Sequence, residues 1–509
     1  MTARLLLIAL RVMCWSLFLA AIAWPTFALL GRCLLQAEAP QGGFGFSGRQ
    51  FGLLWRSVWL SSSATALSLV VSIPGAYVVG SVRRVTERPL IIGALMLLLL
   101  TPPMVCAFGW ERLLPAAFDA HARCITLWAL WLWPISALII GVGWSRSARD
   151  VYEAATLVTS RRAAFVRVAL PQLASYVVVS SAIVFVLCLR DYGVPHASGL
   201  LVFATELLGW ARDSTNTIDT VWPSMPVMAI MLALVTVAWR VERFTKANVA
   251  GDDSPAGGSA SRRGSRGMLL LAVGCFIGSW LIPVGALTIK LASYDAMAEA
   301  LRTYGRDLAW SLALGAGCGL AVALAGSGWM AQRRYRLVML IWALAFGVLP
   351  GALVGESMVA AYNFHATSWL YDHWPVVALS YVARFAWIGF AAGFLVRSAS
   401  PLLEDQADTD GASFSERLAG IYLPLGLPVL LCAAAIVMAL SLGETEASAM
   451  VRVPSFSPIS HVLIEKFHRF EYGMLVSLSL WLVAAAIVPA GLLAGAIQNS
   501  EFRVRNSEL

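Results

Sequence analysis

Between Leu170 and Leu189, and again between Leu423 and Gly443, the chain runs for some twenty residues without one charged side chain. At a rise of about 1.5 Å per residue, such a stretch matches the roughly 30 Å hydrocarbon core of a bilayer. The sequence contains about twelve segments of this kind. In the first half they centre on Phe18, Leu69, Leu97, Leu132, Ile183 and Met231, and in the second on Phe276, Gly319, Leu344, Phe390, Ala435 and Ala485. Only 13% of the 509 residues are charged and 59% are hydrophobic, too few polar groups to coat a soluble body, which ordinarily carries about 25% charged residues. The sequence therefore predicts an all-α polytopic membrane protein with a lipid-facing exterior.

A formal charge of +8 and a pI near 9.2 do not point to nucleic acid. The arginines stand in short clusters beside apolar runs, where positive charge records orientation. Of the eight cysteines, Cys14, Cys106, Cys188, Cys275, Cys318 and Cys432 lie inside apolar runs, and no C-x-x-C pair occurs. Cys33 and Cys124 fall near expected external ends, where a disulfide between them stays open. Met1 to Pro25 shares a basic start and an apolar stretch with signal peptides. A retained first span is the expected reading, because cleavage would leave an odd number of spans.

The chain divides into a first half, residues 1–239, a linker, residues 240–267, and a second half, residues 268–509. The linker holds Lys246, Asp252, Asp253, a Gly/Ser/Ala stretch, and Arg262, Arg263 and Arg266, a flexible and solvated composition. With Arg83, Arg84 and Arg88, then Arg161, Arg162 and Arg167, then Arg333, Arg334 and Arg336, these basic residues fall in alternate loops. That places those loops and both termini in the cytoplasm, although Lys290, Arg302, Arg306, Lys466 and Arg469 run against the bias. Each half sets a long polar loop after its fourth segment, about 145–171 and about 397–424. Each loop ends in Leu-Pro, as a parallel repeat would.

The first loop reads Glu153-Ala154-Ala155 through Val168-Ala169-Leu170-Pro171. The second reads Glu404-Asp405-Gln406-Ala407, then Asp410-Gly411-Ala412-Ser413, then Ile421-Tyr422-Leu423-Pro424. Both resemble the EAA loop of the permease subunits of binding-protein-dependent ABC importers, whose pattern is E-A-A, three residues, G, nine residues, I-x-L-P. The second copy keeps Gly411, Ile421, Leu423 and Pro424 at the family spacing, with Asp405 and Ala407 in the E-A-A positions. The first keeps Glu153, Ala154, Ala155, Leu170 and Pro171, is one residue shorter, and has Thr159 where the family has Gly. Physically the motif reads as a helix, a Gly-permitted turn, and a second helix that ends at a Pro where the next span begins.

The resemblance implies a type I importer fold of two tandem six-helix halves, with each loop gripped by one subunit of an ABC ATPase dimer and a solute-binding protein outside. It also implies a cell (inner) membrane location. The chain contains no G-x-x-x-x-G-K-[ST] phosphate loop, so ATP and Mg belong to the partner ATPase and this chain is expected to bind no cofactor and to be no enzyme.

Four ionisable residues stand out. Asp191 and Glu444 each lie twenty residues beyond their Leu-Pro, at equivalent outer ends of the fifth and eleventh segments, and Glu446 follows closely. They read either as an acidic mouth for a cationic substrate or as helix-end residues satisfied by water, Arg190 or Arg452. A carboxylate opposes the dipole at a helix C-terminus. Arg384 sits in the middle of the tenth segment, where an arginine costs about 2.5–3.5 kcal/mol on insertion scales. Glu356 is its expected ion-pair partner. His365 and His373 do not have the spacing of a metal motif and read as solvated loop residues.

The text after the fifth and eleventh segments, Arg190-Asp191-Tyr192-Gly193-Val194-Pro195 and Leu442-Gly443-Glu444-Thr445-Glu446, is most similar to the ferric iron members of the importer family. Carboxylate oxygens suit a hard trivalent cation. They would also suit a thiamine or polyamine cation, and the neighbouring arginines keep an organophosphonate open. A secondary transporter is the expectation from another class, and would need a coupling acid deep within a span.

Overall fold

The computed structural model describes residues 2–35, 45–82, 87–111, 113–114, 118–145, 149–214, 216–249, 265–291, 293–332, 334–398, 401–454 and 456–507. Most of the linker and the basic residues Arg83, Arg84 and Arg333 lie outside the described residues. Apart from one isolated bridge, Val453 to Phe456, the described regular elements are helices. Apolar segments with no water to bond their backbone must close every N–H and C=O internally, which the helix does.

Among the described residues, ten helices are long and apolar enough to cross a bilayer. They are α1 (Arg4–Leu35), α2 (Gly48–Ser81), α5 (Ala120–Gly143), α7 (Arg161–Leu189), α10 (Ile218–Ala238), α11 (Arg266–Ile289), α12 (Asp295–Met330), α15 (Trp374–Arg397), α17 (Phe414–Gly443) and α20 (Tyr472–Gly495). Large apolar side chains such as Leu5, Ile8, Val12, Leu270 and Leu492 face outward on them, as lipid contact requires. The chain is a multi-pass membrane protein by these lengths and compositions.

The segments centred on Leu97 and Leu344 depart from the expected straight spans. Each is a pair of helices: α3 (Glu87–Leu100) with α4 (Pro103–Glu111), bent by 78°, and α13 (Arg336–Val348) with α14 (Gly351–Tyr362), bent by 113°. Proline at 102 and at 350 drives the residue before it out of the helical region, and Leu349 accordingly has ψ 144. Counting apolar residues registers the length of these segments and passes over the break.

A second departure concerns Leu170-Pro171 and Leu423-Pro424. The expected helix end is absent there, and α7 and α17 run continuously through both prolines. The accommodation is a five-residue π turn immediately upstream, Phe165–Ala169 and Leu418–Tyr422. The same device precedes Pro25 (Leu19–Ala23) and Pro283 (Ile277–Leu281). In each case the π turn stops two residues short of the proline. A proline ring crowds the carbonyl four residues back and offers no N–H to it, and a wider turn relieves both problems.

Two compact packing units emerge. One comprises Met1–Phe46, Glu206–Met228 and Lys290–Ser500, and the other Ser47–Thr205, Ala229–Ile289 and Glu501–Leu509. The first unit thus contains α1 together with α12–α15 and α17, and the second contains α11 together with α2–α5 and α7. These groupings exchange the leading helix of each sequence half. In the first unit, α12 packs on α15 and α17, and Gly326 and Gly389 stand where a Cβ on either would strike the facing backbone carbonyl. Small residues there replace the hydrophobic drive that lipid does not supply. In the second unit, Trp133 Nε1 donates to Ser279 Oγ (2.8 Å) and Trp280 Nε1 to Thr101 Oγ1 (2.9 Å). These bonds tie α11 to α5 and to the bend after α3.

Cys33, in the first unit, and Cys124, in the second, are both free thiols.

Candidate functional site

Two loops share one sequence of elements. In the first, α6 (Arg149–Thr156) ends in a turn, Ser160 then accepts from Ala163 N at 3.3 Å and starts α7, the π turn follows, and Leu170-Pro171 enters the apolar stretch. In the second, α16 (Pro401–Thr409) ends in a turn, Ser413 accepts from Glu416 N at 3.4 Å and starts α17, and the π turn leads into Leu423-Pro424. Glu416 accepts in return from Ser413 N at 2.7 Å, completing a capping box.

Gly411 has φ +67, and nothing lies within 4 Å of the place a Cβ would take there. This is the left-handed turn that its place in the motif asks for. Thr159 does not share it, since among the described residues Phe470 is the non-glycine with positive φ. The shorter first loop therefore turns in another way. Glu153, Ala155 and Tyr152 are half-buried and Ala154 is exposed, whereas Ala407 is buried and Asp405 exposed. Arg417 pairs with Asp408, and the Arg397 guanidinium lies over the rings of Phe414 (5.7 Å) and Tyr422 (5.2 Å). These contacts hold the root of the second loop against α15.

At the far ends of α7 and α17 the two acids do the same job. Asp191 accepts from Gly193 N (3.3 Å), Val194 N (2.9 Å) and Trp128 Nε1 (2.8 Å). It thereby caps the five-residue helix Gly193–Ala197 and binds it to α5. Glu444 accepts from Ala447 N (2.8 Å) and Ser448 N (3.0 Å), capping the five-residue helix Glu446–Met450. The unfavourable position at the C-terminus of the long helix is offset by a favourable one at the N-terminus of the next.

Glu444 also pairs with Arg384 Nη1 at 2.9 Å, and the same nitrogen reaches Glu446 Oε2 at 3.3 Å. Arg384 is therefore partnered by Glu444 and Glu446, and the expected partner Glu356 accepts instead from Thr217 Oγ1 (3.1 Å). Glu446 Oε2 takes a further bond, from Gly351 N at 2.6 Å, at the N-terminus of α14 just past the 113° bend. A side chain at Gly351 would overlap the guanidinium. The three charged side chains are 8%, 1% and 2% exposed, so the cluster is a buried ionic tie between α14, α15 and the end of α17. Arg452 is exposed and the pairing of Glu444 does not depend on it.

Around the tie, Ser448 Oγ lies 2.8 Å from His461 Nε2, and Ser460 Oγ donates to the Glu444 carbonyl at 2.7 Å. Burial pushes the His461 imidazole down to about 4, keeping it neutral at ordinary pH. Reading the sequence alone missed Gly351, Ser448 and His461, and the Trp128 contact. A carboxylate a few residues ahead of a short polar-capped stretch was the available sign for Ser448 and Ala447. Trp128 and His461 carry no such sign. His365 and His373 are exposed, and among the described residues no group of three or more His, Cys, Asp or Glu side chains is placed to hold a metal ion.

Comparison of the chain with protein-family models, with curated proteins and with solved structures finds no match.

Proposed function

We propose that the chain is the membrane permease of an ATP-driven importer, with two tandem halves of type I architecture fused in one polypeptide. The observation that carries this reading is the repeated unit at the two loops: helix, turn, Ser-capped helix start, π turn, Leu-Pro, long apolar helix, then an acid twenty residues on that caps a five-residue helix. A loop fused rigidly to a membrane-crossing helix can pass a push from a cytoplasmic partner to the opposite end of that helix. In this reading the partner is an ABC ATPase dimer, which holds ATP and Mg, and Glu153, Ala154, Ala155, Asp405, Ala407 and Gly411 belong to the surfaces it grips. Both termini are cytoplasmic, the membrane is the cell (inner) membrane, and an extracytoplasmic solute-binding protein delivers the substrate.

Ferric iron is the proposed cargo, on the resemblance of the text around Asp191 and Glu444, with thiamine, a polyamine or a phosphonate as the competing cargoes. The acids contribute to the pathway by fixing the outer ends of α7 and α17, since their oxygens are already engaged by backbone N–H groups and, for Glu444, by Arg384.

The test is purification of the complex from its native membrane, identification of the co-purifying subunits, and reconstitution in liposomes. Uptake of labelled ferric iron that needs the binding protein and ATP is the expected result. Uptake driven by an ion gradient without ATP would identify a secondary transporter and overturn the reading.

A further inference from the structure

The two loops share a fold but not a surface. At the turn of the first loop, Leu157 and Val158 are each 88% exposed, adjacent, and followed by the exposed Arg161 and Arg162. Across the turn of the second loop the exposed side chains are Asp405, Gln406, Asp408, Thr409 and Asp410, with no large apolar residue among them. One tip is apolar with basic neighbours and the other is acidic.

Lipid does not account for the apolar tip. From Arg161 to Leu189, α7 is 29 residues long, about 43 Å at the helical rise, against a hydrocarbon core of about 30 Å. With the uncharged stretch Leu170–Leu189 filling the core, the remainder of the rod projects some 13 Å beyond it on the side of the loop. Leu157 and Val158 stand beyond the end of that projection. The second rod, 30 residues, projects similarly and carries an acidic tip that an anionic membrane surface repels. Two adjacent aliphatic side chains, each 88% exposed and placed past the end of that projection, lack a folding reason to be apolar, whereas a protein recess gives them one.

We infer that the two loops dock into chemically different recesses on the ATPase: Leu157 and Val158 anchor the first loop in an apolar pocket, and Asp405 and Asp410 guide the second into a recess lined by basic side chains. This rests on the ATPase-docking reading above and adds to it the partner's chemistry. The partner is then an ATPase pair whose two recesses differ in chemistry. The two contacts respond differently to salt, because apolar burial is insensitive to ionic strength in the range where exposed ion pairs are screened.

The experiment uses the full chain in nanodiscs, stripped of ATPase and rebound by the fluorescently labelled ATPase identified from the native complex. Affinity is measured at about 50 mM and about 500 mM salt. Leu157→Ser with Val158→Ser should weaken binding by at least about tenfold at both salts, the loss expected for two anchors that become buried. Asp405→Asn with Asp410→Asn should weaken binding at low salt and flatten its salt dependence. Similar salt profiles for the two pairs, or wild-type affinity in the first, would overturn the assignment while leaving the ATPase partnership standing. Failure of the wild-type chain to bind any ATPase would remove both. In a third arm, Leu157→Cys is exposed to a membrane-impermeant maleimide. Labelling without ATPase and protection with it are expected, and protection without ATPase would place the tip in lipid and overturn the proposal.

Discussion

Replacing Arg384 with Met removes the one cation from a cluster whose two carboxylates, Glu444 and Glu446, are 1% and 2% exposed. Breaking a buried pair by deleting one partner costs about 3–5 kcal/mol, mostly because the remaining charge stays buried without compensation. Here the carboxylates keep three backbone donors, at Ala447, Ser448 and Gly351, which argues for the lower end, about 3 kcal/mol. That is a factor of about a hundred or more in the folding equilibrium. The assay is thermal unfolding of purified protein in mild detergent, read with a thiol-reactive dye. The eight free cysteines, five of them buried, report opening of the helix packing. Arg384→Met should unfold well below the wild type. The triple variant Arg384→Met, Glu444→Gln, Glu446→Gln should recover most of the difference, because a neutral cluster has no charge left to desolvate. Wild-type unfolding by the single variant, or a triple variant less stable than the single, would refute the view that this cluster is a structural tie.

His461 contributes stability through its neutral form, since burial lowers its imidazole from 6.5 to about 4, opposed by Glu444 and reinforced by Arg452 and Arg212. That contribution, about 3 kcal/mol, is complete above pH 6.5 and is lost as pH falls from there to about 4. Stability measured against pH should show this acid limb, and His461→Gln should flatten it. Gly411→Val forces a β-branched side chain into φ +67, at a local cost of about 1–2 kcal/mol. Membrane insertion should be normal while binding of the ATPase weakens, so unchanged affinity would detach this turn from docking. Reporter fusions at Ser254 and Asn499 should read cytoplasmic and one at Gly43 external, and a cytoplasmic Gly43 would reverse the orientation.

The long helices are legible because crossing a bilayer needs only length and apolarity, both properties of a local window. Among the described residues ten unbroken segments meet that requirement, and the two bent ones show its limit: Pro102 and Pro350 are visible in the sequence, yet a hydropathy window averages over a proline. The helix end expected at Leu170-Pro171 and Leu423-Pro424 is absent for a related reason. Proline stops a helix only where nothing relieves its clash, and a π turn placed before it lets the helix continue. The equivalence of Asp191 and Glu444 is legible from chain length alone. Their partners are not, because Trp128, Arg384 and Gly351 come from helices far away in sequence, and no periodicity records which of many buried groups will face an acid.

The π turns before Pro25, Pro171, Pro283 and Pro424 have a geometric consequence. An i→i+5 turn holds one residue more than its α counterpart, and one residue is about 100° of rotation on a helix. Side chains upstream and downstream of each proline therefore belong to different angular registers, and one helical wheel drawn through α7 or α17 assigns the residues on one side of the turn to the wrong face. Removing a single residue from Phe165–Ala169 would restore an unbroken α spiral up to Leu170. It would also swing Ser160, the turn and the whole first loop by about 100° around the axis of a membrane helix whose own lipid and protein faces stay put. A one-residue deletion in this short stretch should thus redirect the loop more thoroughly than any substitution within it.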